Sequence, residues 1–254
     1  MFNFLSLSDF VNHYPRFKTG KSRSSNQSDW MFNEALIKLT YLFSGAVENH
    51  FTEIFYNNKE AQLVWNPKFY EESNYDSRFI RDNKEYILEF KSLSRTGLQY
   101  SNYKYTPTGE TEEKQLGFCS VILHTDKYKK LLESQNTIRI CERKNVGIIF
   151  LCYLQTEKRL VYKLINNIEG TPMGIQSQPG NSNIKDDWRN KESYFLNLED
   201  FSSIENVENI TVEEIIEKNN LQWILNEPVL MNHINKNRVL SEYNMEQIYK
   251  KYKR

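Results

Sequence analysis

An acid followed two residues later by a lysine places a carboxylate and an ammonium on the same face of a β-strand, close enough to serve one phosphate. The chain holds four such triplets: Asp82-Asn83-Lys84, Glu89-Phe90-Lys91, Glu112-Glu113-Lys114 and Glu142-Arg143-Lys144. Three have polar flanks that read as turns or exposed helix ends. Only Glu89-Phe90-Lys91 continues an apolar strand, Tyr86-Ile87-Leu88. Ile87, Glu89 and Lys91 then share one strand face, and Tyr86, Leu88 and Phe90 take the other.

Asp82-Asn83 reads as a two-residue turn that folds residues 75–92 into a hairpin. Pairing Arg81 with Lys84 sets Asp76 directly opposite Glu89. A four-residue loop would set Asp76 opposite Lys91, on the same face, whereas a three-residue loop would separate them. In either even register two carboxylates and an ammonium converge within about 5 Å. Oxygen ligands of this kind suit Mg²⁺, which keeps several waters and takes one or two carboxylates plus a substrate phosphate. A metal held there would polarise a phosphodiester oxygen and activate a water, with a neighbouring lysine offsetting negative charge. The plainer alternative is a strand edge with a surface salt bridge between Lys91 and Asp76 or Glu89.

These residues resemble the PD-(D/E)xK nuclease superfamily, which includes most type II restriction endonucleases. Its pattern is an acid opening one strand of a hairpin and an acid-x-Lys on the next, with a helix before and a helix after. Asp76, Glu89 and Lys91 match it, while Tyr75 stands where the motif has proline. The resemblance covers residues 29–165 and implies an α/β restriction-endonuclease-like core with a central mixed sheet flanked by helices. It also implies Asp76 and Glu89 as metal ligands, Lys91 as a catalytic lysine, Mg²⁺ as cofactor, double-stranded DNA as substrate and a homodimer. Many members add a glutamate from the first core helix. Glu34 and Glu48 are the candidates, about 40° apart around a helix, with Glu34 preferred; the plainer alternative for each is a solvated helix glutamate.

The elements that must position these groups follow from periodicity. Phe32, Ala35, Leu36, Leu39, Phe43, Ala46, Val47, Phe51 and Ile54 recur at helical spacing from an Asp29 cap, with Gly45 as a point of bending or division. A short strand is predicted over 62–65, a helix from about Glu112 to Ser134, a doubly buried strand over 146–154 and a partner over 159–164. Residues 166–193, rich in Gly, Pro, Asn and Ser, read as a long surface loop. Residues 194–254 read as a mainly helical extension, with helices at Thr211–Asn219 and Ser241–Tyr252.

DNA contacts are expected from the basic N-terminal segment 1–28, through Lys18, Lys21 and Arg23, and from Ser94 and Arg95 just after the triplet. Ser92 is a further candidate for the scissile phosphate. Gln115 on the predicted helix could line the cleft, and Tyr100, Tyr103 and Tyr105 could stack on bases. Loop polarity accounts about as well for the basic and serine contacts, while an exposed helix glutamine is the favoured reading of Gln115 and chance clustering among 16 tyrosines that of Tyr100, Tyr103 and Tyr105.

Composition narrows the field. The 254 residues, 39% of them hydrophobic, can fill a sizeable core, and Lys plus Arg equals Asp plus Glu at 33 each. Any nucleic-acid surface must therefore be local. Cys119, Cys141 and Cys152 lack a CxxC and read as reduced thiols, mostly buried, and His13, His50, His124 and His233 lack zinc-ligand spacing. The longest apolar run, Val146–Leu154, is far short of the roughly 20 residues of a membrane span. The expectation is a cytoplasmic Mg²⁺-dependent endodeoxyribonuclease, with a less specific repair, phage-defence or transposon-end nuclease, or a non-catalytic nucleic-acid-binding protein, as the alternatives.

Overall fold

A computed structural model describes residues 5–14, 27–65, 73–93, 102–105, 112–115, 118–175, 192–228 and 230–231. The chain divides into two compact units, one of residues 1–53, 67–72 and 208–254, the other of residues 54–66 and 73–207.

The second unit carries the strands. A six-stranded mixed sheet has the order β1 (Gln62–Trp65), β2 (Ser77–Arg81), β3 (Lys84–Leu93), β7 (Val146–Leu154), β8 (Arg159–Leu164) and β11 (Ser202–Ile204). Its neighbours are antiparallel except β3 and β7, which run parallel. A parallel pair needs a crossover, and α3 (Thr125–Glu142) lies on that connection. The same connection contains β4 (Asn102–Tyr105), β5 (Glu112–Gln115) and β6 (Ser120–His124). With β9 (Met173–Ile175) and β10 (Glu192–Asn197), these form a five-stranded sheet in the order β5-β4-β9-β10-β6.

Alternation along the central strands gives the larger sheet two buried faces. Ile87, Ile148, Phe150, Cys152 and Val161 meet Tyr128, Leu131 and Ile138 of α3 together with Val121 and Leu123 of β6. On the opposite face Phe79 packs edge-on against Phe55, and Tyr56 bonds the Ser77 hydroxyl. Phe55 and Tyr56 belong to the last turns of α2 (Gln27–Lys59). The class is α/β, a mixed sheet flanked by helices. β7, central and covered on both sides, is buried at every position but Gly147. A Cβ at Gly147 would meet the Tyr86 ring at 2.5 Å.

In the first unit, α1 (Leu7–His13), most of α2 and α4 (Val212–Lys218) supply the core, with Phe10, Leu39, Phe43, Val47, Ile215 and Ile224 buried. Lys38 of α2 donates to the carbonyls of Val11 at 2.6 Å and of Tyr14, so its ammonium caps the end of α1. A capping box closes the start of α4, where Thr211 Oγ1 accepts from Glu214 N at 3.1 Å and Glu214 Oε2 accepts from Thr211 N at 2.7 Å.

Several elements differ from expectation. The helix placed at 112–134 begins only at Thr125; two strands, β5 and β6, occupy its predicted first part. α2 starts at Gln27, which puts Asp29 inside the helix and not at its cap, and it runs through Gly45 unbroken. The 166–193 stretch contains β9, while its residues 176–191 lie outside the described ones. Residues 192–204 supply β10 and β11 to the two sheets before any helix begins. The predicted helix at Ser241–Tyr252 also lies outside the described residues.

Candidate functional site

The β2–β3 hairpin has the register that the two-residue turn requires, with Arg81 opposite Lys84 and Ser77 opposite Leu88. Asp82 and Asn83 have φ of 50° and 58°, left-handed at both positions, the geometry of the turn that best fits strand twist. At the other end the Asp76 N–H reaches the Leu88 carbonyl at 2.8 Å, and the Phe90 N–H donates to Asp76 Oδ2 at 2.6 Å. Asp76 is thereby pinned beside Glu89, and the two carboxyl groups share a hydrogen bond.

Such a pair needs a proton or a cation. Burial holds the Asp76 carboxyl above its ordinary range, opposed by the charge of Lys127. Burial raises Glu89 much further, and the neighbouring Asp76 charge adds to it. Two carboxylates in contact do not both ionise uncompensated, so the pair favours a bound proton or a nearby cation. Two oxygen-donor side chains that are over-supplied with negative charge and partly open to solvent fit a hard divalent cation, with water and phosphate completing its shell. Among the described residues there is no cluster of three or more His, Cys, Asp and Glu. Any metal here would rest on this pair.

Lys91 shares the face of Glu89 and stands beside Cys152 of β7. Its Nζ donates to the Ile122 carbonyl of β6 at 3.1 Å, and burial lowers its pKa. The ammonium nearest Glu89 belongs instead to Lys127, in the first turn of α3, with Nζ 2.6 Å from Glu89 Oε2. Lys127 was not singled out from the sequence, and its signal there is faint: it is one lysine of the run Asp126-Lys127-Tyr128-Lys129-Lys130. Placing it requires knowing that α3 starts at Thr125.

The same hairpin face carries a second charge cluster near its turn. Arg78 forks onto Glu142 at 2.8 and 2.6 Å and also pairs with Glu85, while Lys144 lies 3.1 Å from Glu85. This accounts for the Glu142-Arg143-Lys144 triplet as a structural clasp. Ser92 lies on the face opposite Glu89 and accepts from Gln155 Nε2 at 2.8 Å, so it is a sheet contact. Gln115 is on β5, paired with Asn102, and not on a helix; Tyr103 and Tyr105 are on β4. Glu34 and Glu48 both lie on α2 in the other compact unit. Glu34 is 3% exposed although it falls off the apolar stripe. Lys18, Lys21, Arg23, Ser94, Arg95 and Tyr100 lie outside the described residues.

Other candidate chemistry is quiet. Cys119, Cys141 and Cys152 are free; Cys152 is buried, Cys119 half-buried and Cys141 exposed at the end of α3, so the thiols are less buried than expected. His50 bonds the Glu208 carbonyl and His124 the Ser193 hydroxyl. A cleft of about 980 Å³ between Tyr128, Tyr194 and the 166–173 segment does not include the carboxylate pair. No helix among the described residues is long and apolar enough to cross a membrane. No family model, no curated protein and no solved structure matches the chain.

Proposed function

We propose that the chain is a Mg²⁺-dependent endodeoxyribonuclease of the PD-(D/E)xK kind, and specifically a type II restriction endonuclease acting as a homodimer on a short double-stranded DNA site. The observation that carries this reading is the contact between Asp76 and Glu89 across the β2–β3 hairpin, with a lysine two residues beyond the second acid. The order of α2, the hairpin, α3 and the parallel strand β7 supports it as the restriction-endonuclease-like core that the motif implies.

In this reading Asp76 and Glu89 hold Mg²⁺. The chemistry supplied by the bound ion is polarisation of a phosphoryl oxygen and activation of a water. Asp76 is oriented by the Phe90 N–H, so its carboxylate needs little rearrangement to serve as a ligand. Lys91, fixed between β6 and β7, offsets negative charge developing on the phosphate. Lys18, Lys21, Arg23, Ser94 and Arg95 grip the DNA backbone.

The test is cleavage of double-stranded DNA by purified protein with and without Mg²⁺. Asp76→Asn and Lys91→Ala are expected to abolish cleavage and to leave DNA binding within about twofold of wild type, since neither change removes a proposed DNA-contacting residue. Full Mg²⁺-dependent activity in either variant would overturn the assignment.

A further inference from the structure

The hairpin face has two charge clusters. Near the turn, Arg78 and Lys144 meet Glu85 and Glu142, two cations against two anions. At the open end Asp76 and Glu89 touch each other, and Lys91 is engaged with the Ile122 carbonyl. Among the described residues, Lys127 alone stands at ion-pair distance from Glu89 there, 2.6 Å from Oε2. That oxygen is buried. The Lys127 side chain is 29% exposed against 13% for Glu89, so the flexible four-carbon stem can carry the ammonium out to water while α3 stays in place.

We infer that Lys127 is a stand-in cation: its ammonium occupies the mouth of the Asp76–Glu89 pair in the metal-free protein and must leave when a divalent cation binds there. This rests on the metal-site reading above and assigns a residue that the motif does not contain. Two like charges cannot share the carboxylate pair at contact distance, so metal and the Lys127–Glu89 ion pair exclude each other. Lys127 is in this sense a positioning residue. It keeps two buried acids together, and it lowers the affinity of the empty site for metal.

Calorimetric titration of the full chain with Mn²⁺ alone, in the absence of DNA, tests the inference independently of cleavage. Lys127→Met keeps the stem and removes the charge, and it is expected to bind Mn²⁺ about tenfold more tightly than wild type. Lys127→Gln is expected to show the same gain should the methionine variant fold poorly, and Lys127→Arg to bind as wild type does. Unchanged or weaker binding in both neutral variants, with wild type binding normally, would overturn the inference alone. No Mn²⁺ binding by the wild-type chain would overturn the metal-site reading and the inference with it.

Discussion

Two carboxyl groups in contact on neighbouring strands are costly unless something compensates them, and proteins keep such pairs chiefly where a proton or a metal is to be handled. Asp76 and Glu89 were legible in the sequence because strand alternation and a two-residue turn fix which side chains face each other. Lys127 was not legible, because its place depends on packing between a helix and a strand distant along the chain. The second cluster offers a contrast in which charge serves stability alone. Arg78 holds the Glu142 carboxyl below its ordinary value of 4.5. A glutamate with a lowered folded-state pKa contributes its stability above about 4.5 and loses it as pH falls through the lowered value. Because Glu142 is 42% exposed, solvent screening limits the pair to about 0.5–1 kcal/mol. Glu142→Gln is therefore expected to be destabilised by that amount at pH 7 in urea unfolding. The difference from wild type should shrink as pH drops below the glutamate range; a difference independent of pH would contradict this account.

At the scale of elements, the hairpin is the unit on which the site depends. Its register rests on Asp82 and Asn83, both at positive φ. A β-branched residue resists that conformation, so Asn83→Val is expected to cost about 1–2 kcal/mol, while Asn83→Gly is expected to keep or raise stability. Urea midpoints would show this, and a valine variant as stable as wild type would argue against the turn. One strand away, Gly147→Ala would drive a methyl into the Tyr86 ring, which stacks on Phe79 at 5.2 Å. The expected loss is about 1–3 kcal/mol from overpacking, read from the same midpoints. Strands 146–154 and 159–164 could be read from the sequence because a strand buried on both faces is a continuous apolar run. β5 could not, since Glu112-Glu113-Lys114-Gln115 consists of strong helix formers held in a strand by its pairing with β4. The burial of Lys38 escaped for a related reason: its ammonium meets the end of α1, a contact that periodicity within α2 does not register.

Across the whole molecule, the α/β class follows from the order of helices and strands, but the second sheet does not. β10 pairs with β6 and β9, and β11 with β8, so a segment expected to be helical completes both sheets. Such pairings are specified by partners far away in sequence and leave no local period. Under the proposed reading, balanced net charge requires any DNA-binding positive charge to be local. The most direct measurement is digestion of unmethylated phage DNA by the purified protein with Mg²⁺, followed by sequencing of the ends. The account predicts discrete fragments with one recurring end sequence, lost when Mg²⁺ is chelated and lost in Glu89→Gln. Intact DNA under these conditions would contradict the central claim, as would equal cleavage by Glu89→Gln.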